Sequence, residues 1–207
     1  LGGLSPGAGL LAAVLARVGP TEVHVLVRPR DGSFRYSAGE VDAMVADVWH
    51  ALGAGAAGVV VGALTERDEP DRAVLAELVA AADGRQVTFH RALDVCRNPV
   101  AALDTLAELG VRRVLTSGQA ATAEQGAGLL GELVRAAAGR IAVMACGGIR
   151  PHNALAVLHA TGVRDLHAAP RTHAGADRPG STVDFGRHAR FDRSTAAELV
   201  RIVRDAG

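Results

Sequence analysis

The amino-acid sequence predicts an α/β fold, an incomplete (β/α)8 TIM barrel in which six of the eight parallel strands are present. Three observations predict this fold. Short apolar segments alternate with segments of helical period, which indicates right-handed βαβ units and a parallel sheet. The segment 58–62 is apolar throughout, as expected of a strand that helices cover. Polar side chains follow nearly every predicted strand, and the mouth of a barrel, where all strand ends meet, explains their recurrence best.

The first half of the chain begins with a predicted helix. Ser5 is its expected N-cap and Pro6 its first residue, and Gly19-Pro20 ends it. The following elements alternate in the same way. Strands are predicted over 22–27, 58–62 and 86–90, and helices over about 41–52, 71–82 and 99–109.

The second half repeats the alternation. Strands are predicted over 111–115, 140–144 and 164–167, and helices over about 123–138 and 151–160. Residues 168–193 are rich in Gly, Pro, Arg and His without a period, which indicates a mobile surface loop. Ser194 is the expected cap of a terminal helix. The length suits one domain over residues 1–207.

The start of the sequence leads to an expectation about the barrel. The chain opens on a helix without the strand that this helix should follow. We therefore expect two strands and one helix of the barrel to be missing before Leu1. Strands 22–27 and 164–167 would then have unpaired edges, and open edges favour pairing with another chain, so a homo-oligomer is expected.

Composition excludes several classes of function. Arginine supplies all 22 basic residues, and 22 acidic residues balance them, so no net field favours a nucleic acid or an anionic membrane. The absence of lysine excludes a lysine Schiff base. No glycine-rich fingerprint follows a strand, so no nucleotide cofactor is evident. No apolar segment reaches transmembrane length, and two cysteines form no disulfide framework, which fits the cytoplasm.

The candidate catalytic residues follow the strand at 86–90. His90, Arg91 and Asp94 place an imidazole, a guanidinium and a carboxylate close together in sequence. We interpret His90 and Asp94 as an acid–base pair, because imidazole titrates near neutral pH and a carboxylate can orient it. The alternative is an interior histidine that is hydrogen-bonded to a neighbour.

Other candidate residues suit an anionic ligand. Arg28 and Arg30 follow the strand at 22–27, and two guanidiniums there suit a phosphate or carboxylate, although ion pairs around the rim are an equal alternative. Glycine after a barrel strand lets backbone N–H groups approach an anion. The further ligand-binding candidates at later strand ends are Ser117, Gly118, Gly147, Gly148 and His167.

Four segments together carry a resemblance to a known family: Val23–Arg30, Thr88–Asp94, Leu115–Gln119 and the opening Gly2–Pro6. They resemble the copper homeostasis protein CutC family. The resemblance runs from Leu1 to about His167. It implies a (β/α)8 barrel, a cytoplasmic location and a role in copper handling, with the copper ion as a possible cofactor or partner.

Cys96 and Cys146 are the candidate metal ligands. Copper(I) prefers soft thiolate or thioether donors, and tight binding needs two or more that converge. No Cys-x-x-Cys motif brings two together, so a site would have to form across strands. The alternative is that both cysteines are small core or loop residues.

Three functions therefore remain open. The first is a CutC-type protein that binds copper without catalysing a reaction. The second is an enzyme that acts on a small anionic or phosphorylated metabolite through the acid–base pair at the barrel mouth. The third is a truncated remnant without function.

Overall fold

The computed structural model describes residues 3–173 and 189–206. Six parallel strands form one curled sheet in chain order, with helices between them, which confirms the predicted half-barrel. The strands are β1 (His24–Leu26), β2 (Gly58–Val61), β3 (Gln86–Phe89), β4 (Arg113–Thr116), β5 (Ala142–Cys146) and β6 (Asp165–His167). Within the described residues, β1 pairs only with β2, and β6 pairs only with β5.

Helices follow the strands as the periodicity predicts. They are α1 (Ala8–Leu15), α2 (Ala38–Gly53), α3 (Arg72–Ala81), α4 (Pro99–Glu108), α5 (Ala127–Ala137), α6 (Pro151–Thr161) and α7 (Arg193–Ala206). Local caps explain where several begin. Ser37 and Glu40 form a capping box at α2, and the side chain of Asp71 accepts the first free N–H groups of α3. No helix of the described residues is long and apolar enough to cross a membrane.

The core lies between the sheet and its helices. Alternate strand residues such as Val59, Val61 and Phe89 are fully buried against helix residues such as Met44 and Leu75. The other strand residues form the concave face of the sheet. Parallel register brings all carboxyl ends of the strands to one edge of this face.

One ion pair crosses the concave face near the amino ends of the strands. Arg113 in β4 donates through Nε to Asp165 Oδ2 in β6, at 2.9 Å. Between them lies β5, where Ala142 is in register with Arg113 and Met144 with Asp165. The ion pair therefore joins two strands that are not neighbours.

Two predicted helix caps were wrong, and one short helix was not predicted. Ser5 does not cap α1, because its hydroxyl accepts the backbone N–H of Arg28 at 2.9 Å and its own N–H bonds the carbonyl of Arg28. Asp192, rather than Ser194, accepts the N–H of Thr195 at the start of α7. A 3-10 helix over Arg91–Val95, which periodicity did not predict, follows β3 directly.

The segment predicted as a loop over 168–193 contains two short strands. β7 (Arg171–His173) and β8 (Ala189–Phe191) pair antiparallel, apart from the main sheet. Residues 174–188, which fall within the predicted mobile loop, lie outside the described residues.

Candidate functional site

The candidate residues lie at the carboxyl ends of the strands. Arg28, His90, Ser117 and Gly147 each come one or two residues after a strand, and His167 ends β6. Two clusters form among them. One contains Arg28 and His90, at the ends of β1 and β3, and the other is arranged around Arg91.

Asp94 organises the second cluster. The 3-10 helix turns its carboxylate towards the end of β4, where it accepts hydrogen bonds from Arg91 Nε at 2.6 Å, Thr116 Oγ1 at 2.5 Å and the backbone N–H of Ser117 at 2.9 Å. The N–H of Gln119 is a further donor, at 3.2 Å. One buried carboxylate thus fixes the loop after β3 to the loop after β4.

Arg91 is oriented by two partners but remains half-exposed. Its Nη2 donates to Ser117 Oγ at 2.7 Å and its Nε to Asp94, while 48% of the side chain is exposed. Its Nη1 has no hydrogen bond within the described residues. The guanidinium therefore keeps N–H groups for a ligand in a fixed direction.

The charge of Arg91 affects the pKa of two further side chains, His167 and Cys146. Partial desolvation, followed by the charge of Arg91, lowers the pKa of His167, although part of its surface is exposed. Burial raises the pKa of the Cys146 thiol to about 12, although Arg91 opposes this shift. We call Arg91, Asp94, Ser117, Cys146 and His167 the Arg91 cluster.

His90 does not join the Arg91 cluster by a hydrogen bond. Its Nδ1 accepts the backbone N–H of Ala92 at 3.1 Å, which starts the 3-10 helix. Burial, and then the charge of Arg28, lower the pKa of His90 to about 3. Within the described residues His90 and Asp94 share no hydrogen bond, so their role as an acid–base pair stays a prediction.

Arg30 has its donors occupied by its own loop. It forms an ion pair with Glu40 through Nε and donates to the carbonyls of Asp31, Ser33 and Arg35. This arrangement fixes the loop over 31–37 and supports the ion-pair alternative from the sequence.

The predicted anion-binding glycines have packing roles in the structure. The N–H of Gly118 donates to Thr116 Oγ1 at 2.9 Å, and a Cβ on Gly118 would lie 2.3 Å from the carbonyl oxygen of Gly126. Gly147 and Gly148 have φ values of +93° and +70°, and a Cβ on Gly147 would lie 3.1 Å from Ser117 Cβ. These glycines let the loops after β4 and β5 pack together.

Cys96 and Cys146 are both free and buried. Cys96 is buried, and burial followed by the charges of Asp68 and Asp94 raises its pKa to about 12. The described residues contain no group of three or more His, Cys, Asp or Glu side chains placed to hold a metal ion.

Sequence reasoning missed Phe34 and Gly62, which lie beside the ring of His90, and Tyr36 in the loop that carries Phe34. The ring of Phe34 lies 4.8 Å from the ring of His90, between centroids, and Tyr36 follows in the same loop. A Cβ on Gly62 would lie 2.4 Å from His90 Cε1. The register of β2 and β3 aligns Val61 with Phe89 and so places Gly62 beside His90, and no pattern in the sequence fixes that register. No periodic pattern marked the loop residues.

Comparisons with known proteins agree with this architecture. The model of the CutC family matches residues 1–172. The family protein CutC of Histophilus somni is 43% identical over 193 residues, which cover 93% of this chain and 79% of that protein. The corresponding protein of Bacteroides thetaiotaomicron is 43% identical over 176 residues, covering 85% of this chain and 71% of that protein.

Solved structures give the same result for the fold. The putative copper homeostasis protein CutC from Streptococcus agalactiae has a TM-score of 0.78 and 28% identity, and the match covers 80% of this chain and 82% of that one. A structure titled as an aldolase, QR15, has a TM-score of 0.62 and 17% identity over 77% of this chain and 73% of that chain, which supports the fold alone.

Proposed function

Because this chain belongs to the CutC family, we propose that it binds a ligand at the carboxyl ends of its barrel strands, and that this ligand is a small anionic or phosphorylated metabolite. Ligands of parallel α/β barrels bind at this end of the strands. We also propose a cytoplasmic location, because both cysteines are free thiols.

The orientation of Arg91 is the observation that carries the proposal. A guanidinium that is fixed in advance loses little freedom when it binds a carboxylate or phosphate. Asp94 binds Arg91 only through Nε and accepts its other hydrogen bonds from Thr116, Ser117 and Gln119. The half-exposed Arg91 therefore still offers the N–H groups of Nη1 to a ligand.

Calorimetric titration tests this proposal. The full chain is titrated with inorganic phosphate and with small phosphorylated and carboxylated compounds. We expect saturable binding with a component that Arg91→Met removes. The matched control is Arg72→Met, which removes an exposed arginine that pairs with Glu108 on the surface. Equal binding by the Arg91 variant and the wild type would contradict the proposal.

Copper binding is the second candidate, because a solved relative is titled a putative copper homeostasis protein. The residues of this chain fit a tight copper site poorly. Copper(I) needs converging soft donors, and both thiols stay protonated at neutral pH because burial raises their pKa to about 12. We therefore propose only weak copper affinity for the described residues.

A further inference from the structure

Three buried polar atoms have no hydrogen-bond partner. They are Arg28 Nε, Tyr36 Oη and His90 Nε2. Among the described residues, every other buried side-chain nitrogen or oxygen atom has a hydrogen-bond partner. Buried polar atoms in folded proteins are nearly always paired, so each such atom needs an explanation. Arg28 and His90 are only 8% and 5% exposed.

The three side chains belong to one cluster. Phe34 contacts two of them, because the centre of its ring lies 5.0 Å from Arg28 Cζ and 4.8 Å from the ring of His90. Arg28 acts on the other two, because its charge lowers the pKa of His90, and its charge and a side-chain interaction with the hydroxyl oppose the rise in the pKa of Tyr36. We call Arg28, Tyr36 and His90 the donor group.

All three unpaired atoms are donors. Because His90 Nδ1 accepts the N–H of Ala92, the neutral ring carries its proton on Nε2. Burial raises the pKa of Tyr36, so its hydroxyl keeps its proton at neutral pH. The Nε of arginine is always a donor. The cluster therefore offers three N–H or O–H groups against a single acceptor, the hydroxyl oxygen of Tyr36, so its donors outnumber its acceptors.

Arg28 also brings an uncompensated charge. Its Nη1 and Nη2 donate to the carbonyl oxygens of Gly3 and Gly32, at 3.3 and 3.1 Å, and no carboxylate pairs with it within the described residues. Arg30 and Arg91, by contrast, each have a carboxylate partner. A buried cation without a counter-ion is unfavourable, and a bound anion would relieve it.

We propose that Arg28, Tyr36 and His90 form a subsite that binds one oxyanion group, the carboxylate or phosphate of a small ligand. The oxyanion accepts from all three donors and neutralises Arg28. In this subsite His90 acts as a neutral hydrogen-bond donor rather than as a base. The subsite is distinct from the Arg91 cluster, and the proposal does not depend on a role for Arg91 in binding.

Nuclear magnetic resonance of the ¹⁵N-labelled full chain tests the subsite directly. His90→Asn identifies the Nε2 signal of His90 by its loss. Sodium acetate and inorganic phosphate are then titrated separately at constant ionic strength. We expect a saturable shift of this signal, and the anion with the lower Kd identifies the carboxylate or phosphate class. Tyr36→Phe, which removes one donor and keeps the ring, should raise Kd about tenfold.

Two controls separate this inference from the proposed function. Arg91→Met should leave the affinity measured at His90 unchanged, even if it removes binding elsewhere. The same anions should raise the Tm of the wild type relative to chloride, which gives a second measurement if Tyr36→Phe does not fold. The inference fails if neither anion shifts the His90 signal, if Tyr36→Phe binds as well as the wild type, or if Tm does not rise.

Discussion

The stability of this protein should fall as the pH is lowered, and His90 should account for a defined part of the loss. Its pKa is about 3 in the folded chain, against an ordinary value of 6.5, because the imidazole is buried and lies near Arg28. Because the pKa of His90 is lower in the folded chain, the unfolded chain binds the proton at a higher pH than the folded chain does. The contribution of His90 is therefore fully present above about pH 6.5 and is lost as the pH falls towards 3.

The magnitude follows from these two pKa values. Between about pH 7 and about pH 5, the free energy of unfolding should decrease by about 2 kcal/mol on account of His90 alone. The perturbation that isolates this contribution is His90→Asn, because asparagine can still accept the N–H of Ala92 as an N-cap but does not titrate.

Urea unfolding, followed by circular dichroism at several pH values, measures the difference. Buffers without phosphate or carboxylate keep the donor group free of added oxyanions. The wild type should lose about 2 kcal/mol more than His90→Asn over this range. The control His159→Asn, at an exposed position, should follow the wild type. Parallel curves for the wild type and His90→Asn would refute the buried, neutral histidine.

Three further predictions concern packing, copper and association. Gly62→Ala should destabilise the fold by about 2 kcal/mol in thermal melts, because the added Cβ would meet the ring of His90. The control Gly39→Ala, whose added Cβ meets no atom, should stabilise α2 by about 0.5 kcal/mol. Equal effects of the two substitutions would show that Gly62 does not pack against His90. Replacing Cys96 and Cys146 together by serine should leave the weak copper(I) affinity unchanged in a competition titration. If the wild type instead has a tight, stoichiometric copper site that this double variant loses, the two cysteines do bind copper. The 207-residue chain should self-associate in sedimentation velocity through the edges of β1 and β6, which have no partner strand among the described residues. A concentration-independent monomer would show that these edges are protected.

Most of the architecture could be predicted because it depends on local pattern. Alternating apolar and helical segments placed the six strands to within a few residues, and parallel topology then required their polar ends to meet. The sequence could not show that Ser5 would leave α1 uncapped, because its hydroxyl instead accepts the N–H of Arg28, which is distant in sequence. Side-chain oxygens that can cap a helix can equally bind another backbone group, and sequence alone does not decide between them.

The sequence could predict which residues belong to the candidate site but not which of them form hydrogen bonds with each other. The sequence brought His90, Arg91 and Asp94 together, yet the 3-10 helix directs Asp94 to Arg91 and β4 and leaves His90 with Ala92. The side chains of these three residues point in different directions from one short turn, and their spacing in the sequence does not predict the direction of each. Tyr36 was missed because it lies in a loop whose position depends on the tertiary contacts of Arg30.

The ion pair between Arg113 and Asp165 has a consequence for the opposite end of the sheet. It joins β4 and β6 across the concave side of β5, so flattening of the sheet would pull its charged groups apart. The pair therefore limits how far the curvature of this half-barrel can relax. Because each strand is rigid, a change of curvature at the amino ends alters the separation of the carboxyl ends. Substitutions at this pair should therefore alter the distance between Ser117 and His167 without touching either residue.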